Sequence, residues 1–302
     1  MTTGPAGVLN PTPPRKTRAA AISIASNCIL IALKVVAGAV TGSIAIITEA
    51  IHSGIDLVAS LVAYFSVRKA DEPPDDSHPY GHEKVENVAA GIEGMLILVG
   101  AGIIIYEAVR RLVDHAGIEH LGFGIAVIGF SMVANFVVSG YLYRQARLTD
   151  SPALEGDAAH LRTDAFTSGG VFVALVLVQI TGVQELDAIT ALIVAVAIVW
   201  AGIQILSRSS RVLVDEALPE EELAAVRAAI EEFGSKEVLG FHKLRARRAG
   251  SRRYIDMHVQ FRSGTTLEHA HELAHELQRA IRGRVRGADV LIHLEPEESA
   301  RD

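Results

Sequence analysis

The chain has 302 residues, half of them apolar, with a mean hydropathy of +0.31 and a formal net charge of −7. The apolar excess points to membrane spans and away from a soluble enzyme, and an acidic chain with no basic stripe carrying interleaved aromatics excludes a nucleic-acid binder. Cys28 is the single cysteine, so an internal disulfide and a cysteine metal cluster are both excluded, and any metal chemistry falls to histidine and carboxylate.

Residues 1–18 are polar and Pro-rich and read as a disordered tail, without the short apolar core and small-residue cleavage site of a cleavable signal peptide. Six apolar stretches follow, at about 19–40, 44–67, 88–107, 121–143, 155–181 and 186–206, each near the roughly 20 residues that cross a bilayer as a helix. They predict a six-helix transmembrane domain over 19–208 and a charged, soluble domain over 209–302. An even number of spans puts both ends on one side of the membrane. Lys and Arg crowd that side (Arg15, Lys16, Arg68, Lys69, Arg144, Arg208 among them), against Arg110 and Arg111 opposite, so both termini are expected in the cytoplasm.

The second span, SIAIITEAIHSGIDLVASLVAYF, carries Glu49, His52 and Asp56 on one helical stripe. Ionisable groups are costly in hydrocarbon and mark ion pathways. The fifth span repeats the i,i+4 pattern in HLRTD, with His160 and Asp164. If the two faces meet, two imidazoles and two carboxylates make a donor set suited to tetrahedral zinc. Between spans two and three, DEPPDDSHPYGHEK breaks the helix at its Pro pair and gathers Asp75, His78 and His82.

After residue 209 the pattern predicts an α-β-β-α-β order, beginning with a helix whose stripe is Leu223, Val226, Ile230 and Phe233. In the strand YIDMHVQF, Ile255, Met257, Val259 and Phe261 form the core face and His258 points away from it. The last strand, VLIHLE, puts His293 and Glu295 on one face and Val290, Ile292 and Leu294 on the other. The helix between these strands contains HELAH, the spacing of a zinc protease motif. Its apolar stripe is read as Leu267, Ala270, Leu273, Ala274, Leu277 and Ile281, which leaves His271 on the flank and His275 facing solvent. A domain of this size offers little room for a protease cleft, so Glu272 is not expected to act as a general base.

HSGID in span two, HLRTD in span five, six spans and a soluble tail together resemble the cation diffusion facilitator family, over residues 18–296. The resemblance implies an α-helical integral membrane protein with a cytoplasmic α+β domain of metallochaperone, ferredoxin-like shape. It implies a homodimer that exports divalent metal against protons and is not an enzyme; a bacterial inner membrane is expected from the lack of targeting signals. His52, Asp56, His160 and Asp164 would be the transport site, Asp75, His78 and His82 a loop site, and His242, His258, His271, His293 and Glu295 a regulatory zinc pair at a dimer interface. Lys84 and Asp215 would form a charge interlock. Glu295 stands where the family pattern has Asp, which puts its bridging geometry in question. Zinc is the expected cargo and regulatory ligand, with Fe²⁺, Co²⁺, Cd²⁺ or Mn²⁺ as alternatives. A membrane-bound metal sensor is the second class of reading; a channel fits poorly, because a buried tetrahedral site holds its ion too tightly for fast conduction.

Overall fold

The computed structural model describes residues 13–41, 44–114, 121–181, 185–234 and 238–297. Six long helices come first: α1 (Pro13–Thr41), α2 (Ile44–Ala70), α3 (Lys84–Asp114), α4 (Leu121–Thr149), α5 (Pro152–Thr181) and α6 (Glu185–Leu213). Then come α7 (Glu220–Glu231), β1 (Val238–Ala249), β2 (Arg252–Phe261), α8 (Leu267–Arg284) and β3 (Ala288–Pro296). The chain divides into two compact units, Met1–Ser209 and Ser210–Asp302.

Each expected span corresponds to one helix, and the helices overrun the apolar stretches by several residues at their polar ends. The largest difference is at the start. α1 begins at Pro13, inside the tail expected to be disordered, because Lys16 is drawn into the bundle, where its Nζ donates to Glu86 Oε1 at 2.7 Å. Ser151 donates to the other oxygen of Glu86, so one buried carboxylate joins α1, α3 and the start of α5. Proline suits the first turn of α1, where its missing N–H has no intrahelical partner. Among the described residues, Arg15–Val36, Lys84–Arg110 and Ile189–Leu213 are long and apolar enough to cross a membrane.

The helices of the first unit bury small and polar residues and turn large apolar ones outward. Ala19, Ala59, Ala63, Ala101, Ala153, Ala158 and Ala195 are fully buried, whereas Ile29, Val36, Phe65, Val99, Val137 and Trp200 are exposed. This inversion of a soluble core is expected where lipid tails solvate the outside and close helix approach supplies the packing. α5 packs against α2, α3 and α4 and is the hub of the bundle.

The second unit has the predicted order α7-β1-β2-α8-β3 and forms a three-stranded sheet. β1 pairs antiparallel with β2, and β3 adds parallel to β2. A parallel neighbour needs a crossover, which α8 provides. The core lies on one face of the sheet: Ile255, Met257, Val259 and Phe261 from β2 meet Val226 and Ile230 of α7 and Leu273, Leu277 and Ile281 of α8. Leu267 departs from the expected stripe. At the first turn of α8 it is 77% exposed, since the helix leaves the sheet surface at that end. Thr266 caps α8 by accepting from the His269 N–H.

Arg253 is the one cation of β2 that is buried; its Nε and Nη2 donate to Glu222 of α7 at 3.0 and 3.2 Å, and its Nη1 to Ser251 O at 2.9 Å. Glu222→Ala strands this guanidinium in the core. A fully buried pair broken on one side costs roughly 3–5 kcal/mol; with the Glu222 side chain 27% exposed, about 2–3 kcal/mol is expected here. Thermal unfolding should show the loss, and the double variant Glu222→Leu/Arg253→Met should recover most of it.

Candidate metal centres

Three groups of metal-capable side chains converge among the described residues, each with its candidate ligand atoms within 4.8 Å of one another. The first lies inside the helical bundle. Asp56 of α2 and His160 of α5 are buried, and His160 Nε2 stands 3.3 Å from Asp56 Oδ1 and 3.8 Å from Asp164 Oδ2. Ligand atoms around a tetrahedral zinc lie about 3.3 Å apart, given bonds near 2.0–2.1 Å, so His160 Nε2 and Asp56 Oδ1 stand at coordinating separation, and Asp164 Oδ2 lies further out at 3.8 Å. The i,i+4 spacing of His160 and Asp164 brings both onto one face of α5, and the contact between α2 and α5 brings that face to Asp56. His52 belongs to α2 four residues before Asp56, and Glu49 precedes it; their side chains lie outside the described residues.

Polar side chains hold this arrangement in register. Asn27 of α1 donates to Ser60 Oγ at 2.8 Å, Ser60 lies 3.0 Å from Ser23, and Ser60 donates to Asp157 Oδ1 at 3.0 Å. Ser60 follows Asp56 by one turn and Asp157 precedes His160 by one turn. These hydrogen bonds therefore lock α2 to α5 next to the converging ligands. Lys34 of α1 donates to Ser53 Oγ at 2.7 Å. Sequence reasoning missed Asp157 and also Glu93 of α3, which reaches to 4.0 Å from His160 Nδ1. The signal was available: both are carboxylates inside apolar helices, the feature that drew attention to Asp56.

The second group lies on the loop between α2 and α3. Asp75 Oδ1 accepts from the backbone N–H groups of Ser77 and His78 at 2.9 and 2.6 Å, an Asx turn that brings His78 Nδ1 to 3.2 Å from the same oxygen. His82 Nε2 stands 3.2 Å from Asp75 Oδ2. The His78 N–H foremost, with the His78 ring and the Ser77 N–H, holds the Asp75 carboxyl below its ordinary value. Gly81, at φ +92°, makes the return that carries His82 back beside His78.

The third group lies on the open face of the sheet. His258 Nδ1 meets Glu295 Oε1 at 2.6 Å, and His242 Nε2 meets Glu295 Oε2 at 3.1 Å, so one carboxylate spans two imidazoles. The register explains the meeting: His242 pairs with His258 across β1 and β2, and His258 with His293 across β2 and β3. His242 arrives there by an irregularity. Strict alternation would put it on the face of Leu244 and Ala246, which pack against the core. A β-bulge between His242 and Arg245, with Lys243 at φ +51°, shifts the phase by one residue and turns His242 outward. His293, also on this face, is 3.8 Å from Glu295 Oε1 through Nε2.

His271 is placed differently. It is exposed on α8, with its Nε2 3.0 Å from His275 Nε2, while His275 Nδ1 lies 3.0 Å from Gln278 Oε1. Glu272, between the two histidines, is exposed and lies 3.8 Å from His269. HELAH is thus an outward helix face, not the wall of a catalytic cleft. Asp215 pairs with Arg247 at 2.8 Å within the second unit, and Lys84 opens α3.

The sequence model of the cation efflux transmembrane domain matches residues 20–214, and that of the cation efflux cytoplasmic domain matches residues 218–297. The chain belongs to the cation diffusion facilitator family. It is 35% identical to an uncharacterized transporter of Synechocystis over 93% of this chain and 91% of the relative. It is 32% identical to the cation-efflux pump FieF of Serratia proteamaculans over 92% of this chain and 91% of the relative. A solved structure, the metal-bound C-terminal domain of the CzcD transporter from Thermotoga maritima, is 27% identical and covers 27% of this chain and 93% of that one, at a TM-score of 0.25. The facilitator is therefore an α-helical integral membrane protein with a cytoplasmic α+β domain, and a cation efflux transporter.

Two outcomes follow from these geometries. Gly81→Ala forces a side chain into a backbone conformation costing about 1–3 kcal/mol, so any zinc that the loop group takes up should bind roughly 5- to 150-fold more weakly, as read by calorimetric titration. The Glu295 carboxyl is held below its ordinary 4.5, chiefly by the His258 hydrogen bond and then by the charges of His242, His258 and His293. A lowered folded value stabilises above the ordinary one, and the contribution is lost as pH falls from the ordinary value through the lowered one. Glu295→Gln should flatten this acid limb of the thermal-stability profile as pH falls below the ordinary 4.5.

Proposed function

We propose that the facilitator exports Zn²⁺ from the cytoplasm in exchange for protons, by alternating access at Asp56, His160, Asp164 and His52. The convergence of Asp56, His160 and Asp164 from two helices inside the bundle carries this reading. Two carboxylates match the charge of one divalent ion, and imidazole nitrogen with carboxylate oxygen in a small buried site favours zinc over the oxygen-rich octahedron of Mg²⁺ or Mn²⁺. When the metal leaves, protons replace its charge, and histidine is the group that exchanges them near neutral pH. Fe²⁺, Co²⁺ and Cd²⁺ are competing cargoes, and the 32% identity to the cation-efflux pump FieF supports divalent export without choosing among them.

The protein works as a homodimer in the inner membrane with both termini in the cytoplasm, in line with the Lys and Arg asymmetry of its loops. Zinc on the open sheet face regulates it. His242, His258 and Glu295 offer two nitrogens and a two-oxygen carboxylate, a donor set that fits zinc, with His293 beside them and His271 available to a second subunit. Glu295 reaches both imidazoles, which supports its serving in the place where the family pattern has Asp. The loop group of Asp75, His78 and His82 is a separate binding site.

Zinc uptake into proteoliposomes under an imposed pH gradient tests the reading. Wild type and Glu272→Gln should take up zinc in a gradient-dependent manner, and Asp164→Ala should not. Equal uptake by all three would move the transport site elsewhere; uptake indifferent to the gradient would remove the antiport.

A further inference from the structure

The transport-site reading leaves one buried carboxylate without a task. Glu93 lies on α3, the helix next to α5 that contributes no ligand. It is fully buried, and neither of its oxygens has a hydrogen-bond partner among the described residues. A carboxylate in that condition is costly, so some interaction must offset it. Its Oε2 stands 4.0 Å from His160 Nδ1, an atom that is likewise buried and without a hydrogen bond. The other ring nitrogen, Nε2, is the one that faces Asp56 and Asp164.

The space for Glu93 is built by α5 itself. Gly156 precedes His160 by four residues and so shares its face of the helix. A Cβ at Gly156 would lie 3.0 Å from Glu93 Cγ, 3.1 Å from Glu93 Cβ and 3.2 Å from Ala90 Cα. The last of these atoms is backbone and cannot swing aside. Glycine at this turn therefore lets α3 approach α5 and lets the Glu93 side chain pass toward the imidazole.

An imidazole that ligates a metal through Nε2 carries its hydrogen on Nδ1, and a carboxylate receiving that hydrogen fixes the tautomer and the ring plane and raises the basicity of the ligating nitrogen. We propose that Glu93 is the positioning residue of the transport site, accepting the Nδ1–H of His160 as Nε2 takes the metal. The 4.0 Å separation then closes to about 2.7–3.2 Å, the length of an N–H···O hydrogen bond. Through this contact α3 becomes a third helix that responds to the cargo. The proposal rests on the reading of Asp56, His160 and Asp164 as the transport site, and the experiment separates the two.

Zinc affinity of the full-length purified protein is measured by competition with a fluorescent chelator, alongside KM and Vmax in proteoliposomes, for Glu93→Leu, Glu93→Gln, Gly156→Ala and Asp164→Ala. Asp164→Ala identifies the binding step that belongs to the bundle. Glu93→Leu should weaken that step roughly 10- to 100-fold and raise KM in parallel. Glu93→Gln keeps an acceptor oxygen and should restore most of the affinity. Gly156→Ala, which displaces Glu93 without altering its charge, should weaken binding in the same direction and serves where the leucine variant does not fold. Wild-type affinity in Glu93→Leu or in Gly156→Ala, with the step lost in Asp164→Ala, overturns the role of Glu93. A glutamine variant as weak as the leucine one overturns it too, because charge and not hydrogen-bond acceptance would be what matters. A step unchanged even by Asp164→Ala instead overturns the transport site on which the proposal stands.

Discussion

Carboxylates and imidazoles carried into hydrocarbon must be satisfied by one another, because no water is there to do it. That constraint shapes the whole transmembrane unit. Asp56, Asp157, His160 and Glu93 are all buried in it, and each helix that carries them is held close to the next by small residues: Ala59 and Ala63 on α2, Ala153, Gly156 and Ala158 on α5. The serines and Asn27 supply hydrogen bonds where the backbone ladder has no donors to spare. Packing and polarity are therefore one problem here. Small residues bring the helices near enough for short polar side chains to meet, and those meetings leave the metal-capable groups at defined separations.

The cytoplasmic unit solves a different problem with ordinary means. Its sheet has one face covered by α7 and α8 and one face open, and the open face collects histidines at adjacent positions of three strands. A sheet fixes lateral spacing near 4.8 Å, so donors in register across neighbouring strands come within reach of a single ion without any loop having to close around it. Glu295, which touches both His242 and His258, ties the outer strands together across β2.

Much of this was legible in the residues. Six spans, the order α-β-β-α-β and the core face of β2 all follow from periodicity, because long apolar runs and strict alternation are strong signals. The pairing of His160 with Asp56 followed from two matched i,i+4 motifs. What escaped depended on distance in sequence or on broken periodicity. Glu93 and Asp157 form no local motif with the residues they approach, Lys16 enters the bundle where Glu86 and Asp71 meet it, and Leu267 falls on the apolar stripe of α8 but beyond the sheet that the stripe covers. His242 could be named only by resemblance, since alternation by itself points it the wrong way.

That last residue has an implication for how such a centre is inherited. His242 faces its partners because β1 carries one residue more than β2 across the bulge at Lys243. The outward turn of its side chain is stored in the number of residues between two strand positions and not in the identity of any of them. Exchanging side chains one at a time along this stretch would leave it intact, whereas a single-codon deletion would swing the imidazole into the oily interior with every remaining letter unaltered.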